Sequence, residues 1–128
     1  MGCVQINKKN KMIIDKQYFN ELDALQNLNY QIYFIIEINL SHNYIGDQGV
    51  FDLSVALSEC VNLTILKLDL ISNIFFDEGI INFASGILKC PRLKILMLHI
   101  NNNRIQRKLK LRNKILKAKR LVKYSISY

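Results

Sequence analysis

Apolar and polar residues alternate through Ile36, Glu37, Ile38, Asn39 and Leu40, the period of two expected of a strand with one buried face. The pattern then changes. From Gln48 to Glu59 the apolar residues Val50, Leu53, Ala56 and Leu57 fall three and four apart, which places them on one side of a helix, and Asp47 stands where an N-cap belongs. The same plan follows again: strand residues Leu66, Leu68 and Leu70, cap candidate Asp77, and helix residues Ile80, Phe83 and Ile87. Pro91 keeps that helix from continuing, because it has no N–H to donate and its ring clashes with the preceding turn.

The recurrence has a fixed period. A shift of thirty residues aligns Ile36 with Leu66 and Leu96, Ile38 with Leu68 and Leu98, Leu40 with Leu70 and Ile100, and Asn43 with Asn73 and Asn103. It also pairs Asp47 with Asp77, Gly49 with Gly79, Cys60 with Cys90 and Leu63 with Leu93, so polar and small positions repeat along with apolar ones. A period in this range marks units that bury their apolar faces against one another. Leu121, Tyr124, Ile126 and Tyr128 repeat the spacing of Leu93, Leu96, Leu98 and Ile100, which predicts a last strand, with the basic stretch between them as its helix. Tyr18, Phe19, Leu22 and Leu25 suggest a further helix ahead of the first repeat.

Ile65-x-x-Leu68-x-Leu70-x-x-Asn73-x-Phe75 resembles the leucine-rich repeat, and Asn43-x-Ile45-Gly46-Asp47-x-Gly49 resembles its ribonuclease-inhibitor class. The likeness covers roughly residues 30–128. It implies an α/β fold: a short leucine-rich-repeat solenoid with a curved parallel sheet on its concave face and helices on its convex face. It also implies a structural ladder of Asn43, Asn73 and Asn103, whose amides would satisfy backbone groups left open at each turn. There are departures. Leu63-x-x-Leu66-x-Leu68-x-Leu70 suggests an additional strand pair and a unit two residues longer than usual, and the third unit has Arg107 and Leu109 where Asp and Gly would recur. The expected organisation is a basic segment and capping helix over residues 1–29, then three to four repeats over 30–128, the last atypical and basic.

Charge divides the chain into zones. Residues 1–16 carry a net +3, residues 17–103 a net −5 and residues 104–128 a net +10, which together make the overall +8. Half of the residues are hydrophobic, yet no apolar run reaches the eighteen or so residues of a membrane-spanning helix. Three cysteines, Cys3, Cys60 and Cys90, cannot all pair with one another, so reduced thiols and a cytoplasmic location are expected.

If the strands form a concave face, Glu37, Asn39, Lys67, Asp69, Met97 and His99 alternate away from the core and form a protein-docking patch, beside Ile35, Ile65 and Ile95. The isoleucines have a second reading, as a thickening of the core, and periodicity does not separate the two. Between Arg104 and Lys123 lie ten basic residues, a field attractive to phosphates or anionic lipid. Leu111, Ile115, Ala118 and Val122 also share one helical face there, as in a repeat helix with a solvated basic side. No aromatic residue interleaves the charges, which argues against nucleic acid as partner.

Met1-Gly2-Cys3-Val4-Gln5 resembles the start of Src-family kinases, where Gly2 takes myristate and the adjacent Cys palmitate; Lys8, Lys9 and Lys11 would meet acidic lipid. Position 6 is Ile where that pattern calls for Ser or Thr. Cys60 and Cys90, at equivalent positions, read first as small buried residues and second as a metal or redox pair. His42 and His99 belong to no spaced ligand set, and no phosphate loop, nucleophile elbow or kinase signature is present, so neither catalysis nor a cofactor or metal is expected. The expected function is a non-catalytic adaptor that holds another protein. Alternatives are a GTPase regulator, since Ran-activating proteins are built from similar repeats, an adaptor on lipid or nucleic acid through the basic ends, and a piece of a larger kinase-type signalling protein. Few units and two open sheet edges also predict a tendency to self-associate.

Overall fold

The computed structural model describes residues 3–7, 11–15 and 32–128. Their strands are β1 (Cys3–Asn7), β2 (Lys11–Asp15), β3 (Ile35–Asn39), β4 (Ile65–Asp69), β5 (Ile95–His99) and β6 (Lys123–Ser127). Their helices are α1 (Asp47–Ser58), α2 (Asp77–Ile87) and α3 (Lys108–Leu116). The strands form one sheet in the order β1-β2-β3-β4-β5-β6, antiparallel between β1 and β2 and parallel thereafter. From β3 onward a helix joins each strand to the next, which makes the protein α/β.

Register follows the repeat. Ile36, Leu66 and Leu96 pair in one row, and Ile38, Leu68 and Leu98 in the next; all six are buried, so the apolar rows face the helices. Val50, Leu53 and Leu57 of α1 and Ile80, Phe83 and Ile87 of α2 fill the other side of the core, as their spacing predicts. The fourth buried residue of α1 is Ser54 in place of the expected Ala56, which sits on the flank of the stripe. Ser54 is small enough to lie under Gly86 of α2, where a Cβ would come within 2.8 Å of the Ser54 Cβ. Its hydroxyl donates to the Phe51 carbonyl at 2.7 Å, so its burial leaves no polar group open.

The additional strand pair expected from Leu63 does not form. Leu63 is buried, but it lies in the turn before β4, where its N–H donates to the Cys60 carbonyl. The shared face expected of Leu111, Ile115, Ala118 and Val122 is also shorter. α3 ends at Leu116 with only Leu111 and Ile115 buried, and Val122 is 80 % exposed. The closing strand is present as β6, with Leu121, Tyr124, Ile126 and Tyr128 packed against the core. Strands β1 and β2 were not anticipated, and the helix expected around Tyr18–Leu25 lies outside the described residues.

Asn73 bonds one unit to the previous one. Its Oδ1 accepts the N–H groups of Asn43 and Ile45 at 3.1 and 2.9 Å, and its Nδ2 donates to the carbonyls of Leu40 and Leu70, each at 2.9 Å. Asn103 donates likewise to Leu70 and Ile100 at 2.8 and 3.0 Å, and Asn43 donates to Ser41 at 2.9 Å. The turns they serve put His42, Ser72 and Asn102, again thirty apart, at φ between 55° and 59°. That left-handed conformation is tolerated best by Asn among these three residue types.

Asp47 and Asp77 do not act as side-chain N-caps. The N-cap positions are Gly46 and Phe76, with no side-chain cap bond, and each aspartate is the first residue of its helix. Each carboxylate reaches forward to the next unit instead. Asp47 Oδ1 accepts the Phe76 N–H at 2.7 Å, and Asp77 Oδ1 accepts the N–H groups of Gln106 and Arg107 at 3.0 and 2.7 Å. An anion there lies at the start of its own helix and fixes the backbone entering the following one, which suits the positive end of the helix dipole.

Candidate functional site

The side chains that alternate away from the helices form three rows on the opposite face of the sheet. One runs Lys11, Ile35, Ile65, Ile95, Lys123; the next Ile13, Glu37, Lys67, Met97, Ser125; the third continues through Asn39, Asp69, His99 and Ser127. All six residues expected to dock a partner therefore lie together on one face, positioned by β3, β4 and β5. Parallel strands lie about 4.8 Å apart, so residues in a row stand side by side in a fixed order. Ile35, Ile65 and Ile95 are intermediate in exposure. They are neither a sealed layer of core nor a bare apolar strip, so neither sequence reading describes them fully.

Glu37 is the electrostatic centre of this face. Its Oε1 lies 2.7 Å from the Lys67 ammonium and its Oε2 lies 2.9 Å from that of Lys11, so one carboxylate ties β2, β3 and β4 together. The hydrogen bond from Lys67 lowers the Glu37 pKa, burial opposes that shift, and Lys11 adds to it. Lys11 was read from sequence as part of a basic terminal segment. Its pairing with Glu37 follows from the parallel register of β2 with β3, which no local pattern reveals.

A shallow depression of about 230 Å³ opens beside this ion pair, lined by Ile13, Glu37, Ile38, Asn39, Lys67, Leu68, Asp69 and His99. Two of its polar residues already have local duties. Asn39 Oδ1 accepts the Ser41 N–H and hydroxyl at 3.1 and 2.8 Å, and Asp69 Oδ1 accepts the Ile71 N–H at 2.9 Å. These Asx-type bonds hold the turns that leave the strands. The face thus offers fixed charges of both signs, a histidine and a flexible thioether.

Cys60 and Cys90 are free and fully buried. Burial pushes the Cys60 thiol up to about 12 and the Cys90 thiol up to about 11, the latter donating at 3.2 Å to the Leu57 carbonyl of the preceding unit. Thiols held protonated in this way are poor nucleophiles and poor ligands. Among the described residues no three His, Cys, Asp or Glu side chains stand together as a metal site would require. Gly2 lies outside the described residues, and Cys3 is the first residue of β1. No helix among the described residues is long and apolar enough to cross a membrane.

No protein-family model matches the sequence, and no curated protein matches it.

Proposed function

We propose that the protein is a non-catalytic interaction scaffold, a short leucine-rich-repeat solenoid that holds another protein on the open face of its parallel sheet. The supporting observation is the convergence of Glu37, Asn39, Lys67, Asp69, Met97 and His99 on that face, around an ion pair and a shallow depression. A broad face with fixed, mixed charges suits a protein surface, for which electrostatic complementarity sets register and partner choice. On this reading the sheet is the concave side and the three helices the convex side, with the asparagine ladder and the forward-reaching Asp47 and Asp77 holding successive units in step.

The test is a comparison of captured proteins. Immobilised wild-type chain and a Lys67→Glu, Asp69→Lys variant are exposed to extract from the source cells, with a Val55→Ser variant as a control on the outer side of α1. The proposal expects a protein retained by wild type and by Val55→Ser and lost from the charge-reversed face, with all three chains folded by circular dichroism. Equal retention by all three would refute the assignment of the face.

A further inference from the structure

We infer that α3 and the turn after it form a second docking surface, on the side opposite the sheet face, that seats the protein on an anionic lipid bilayer. Between Arg104 and Lys123 every charged residue is basic, whereas residues 17–103 carry a net −5 and residues 1–16 only +3, so the densest positive charge lies in the last repeat. Three of these cations have partners: Arg104 stacks over the Phe76 ring, Lys108 over the Tyr128 ring, and Arg120 donates to the Leu88 carbonyl. The other seven make no ion pair with any described carboxylate.

The helix geometry sorts these charges. Leu111 and Ile115 face the core, so at 3.6 residues per turn Leu109, Asn113 and Leu116 face outward, with Lys110, Lys114 and Lys117 along one flank and Arg112 on the other. Leu109 is 66 % exposed and Leu116 51 %, one heptad apart on the same outward side of the helix. The lysine flank opens into a groove of about 410 Å³ between α2 and α3, lined by Ile81, Leu109, Lys110, Asn113, Lys114 and Lys117.

Outward aliphatic side chains ringed by lysines match the boundary between lipid headgroups and acyl chains: the leucines enter the apolar edge, and the ammonium groups in the groove meet the phosphates. A nucleic acid would use the charges alone. No aromatic residue from 104 to 123 could stack a base, and the exposed leucines would gain nothing from it. α3 and its groove share no residue with the sheet face, on which Lys123 stands instead, so lipid seating is independent of whatever binds there.

Co-sedimentation of the full chain, prepared without acyl groups, with vesicles of phosphatidylcholine alone or mixed with phosphatidylserine tests the inference. Binding is expected only to the mixed vesicles. Replacing Lys110, Lys114 and Lys117 with Gln is expected to weaken it about a hundredfold, at about fivefold per lysine near an anionic surface. Leu109→Ser with Leu116→Ser is expected to weaken vesicle binding while leaving retention on a heparin column unchanged, with circular dichroism showing that the variant keeps its fold. Binding to neutral vesicles as strong as to mixed ones, or vesicle binding indifferent to either set of substitutions, would overturn the inference. So would tighter binding of the full chain to a short double-stranded RNA than to mixed vesicles at equal phosphate concentration.

Discussion

Replacing Asn73 with Ala separates an asparagine that bonds two units from one that merely occupies the same place in the repeat. The side chain is 5 % exposed and makes four short hydrogen bonds to backbone groups of Asn43, Ile45, Leu40 and Leu70. Alanine leaves two donors and the Leu40 carbonyl open in a turn that water enters poorly, while the Leu70 carbonyl keeps its bond from Asn103. At about 1 kcal/mol for each group left unpaired, the low end of the usual range, the loss is about 3 kcal/mol. A small domain has only about 5–15 kcal/mol in all, so the urea midpoint should fall by a large fraction. Asn103 supplies the internal comparison. Its Nδ2 makes two short bonds, to Leu70 and Ile100, and its Oδ1 has no hydrogen-bond partner; since Leu70 keeps its bond from Asn73, only the Ile100 carbonyl is left open and Asn103→Ala should cost about 1 kcal/mol. The assay is urea unfolding followed by circular dichroism, with the slope checked for constancy so that the midpoint reports stability. Equal losses for the two variants, or a loss below about 1 kcal/mol for Asn73→Ala, would refute the reasoning.

Gly79→Ala should destabilise the protein by about 1–3 kcal/mol, because a Cβ there would lie 2.9 Å from the Asp47 Cα and closer still to its carboxylate. Elsewhere in a helix the same change usually stabilises by nearly 1 kcal/mol, so the sign measured by thermal or urea unfolding decides the point. For Glu37 the folded pKa is depressed, so its stabilisation is present above the ordinary value of 4.5 and lost as pH falls through the lower folded value. Glu37→Gln should therefore cost about 0.5 kcal/mol at pH 7, discounted for a partly solvated pair, and nothing once the carboxyl is protonated in both states. Urea midpoints for wild type and variant that stay equally far apart in strong acid would contradict this. In a Cys3→Ser background, Cys60 and Cys90 should resist iodoacetamide at pH 8 while the protein is folded and react fully in urea, with labelling followed by mass spectrometry.

The repeat made much of the fold legible, because burial repeats wherever the backbone does. Ile36, Leu66 and Leu96 announce the inner face of the sheet through alternation alone, and the gaps between them announce the outer face. Register was legible for the same reason, since a thirty-residue offset that aligns Asn43 with Asn73 also aligns Glu37 with Lys67. Groups whose partners lie in another unit were not legible. Asp47 sits where a local cap belongs, and only the packing of α2 beside it shows that its carboxylate serves Phe76. The one signal available was its recurrence as Asp77. Hydrophobicity misplaced Ala56 over Ser54, because helix phase, with Ser54 four residues after Val50 and three before Leu57, puts the serine on the buried side beneath Gly86. The β1–β2 hairpin escaped because Val4 and Ile6 alternate over too few residues to stand out from a basic, lysine-rich stretch.

The central claim is that a protein partner sits on the open sheet face, and site-specific photo-crosslinking tests it most directly. A benzophenone-bearing residue placed at Met97, in the middle of the face beside Lys67, is irradiated in source-cell extract and compared with the same group at Val55 on α1. The account predicts a discrete protein adduct from position 97 that disappears with Lys67→Glu, and none from position 55. An adduct from position 55 alone would place the partner on the helices and contradict it.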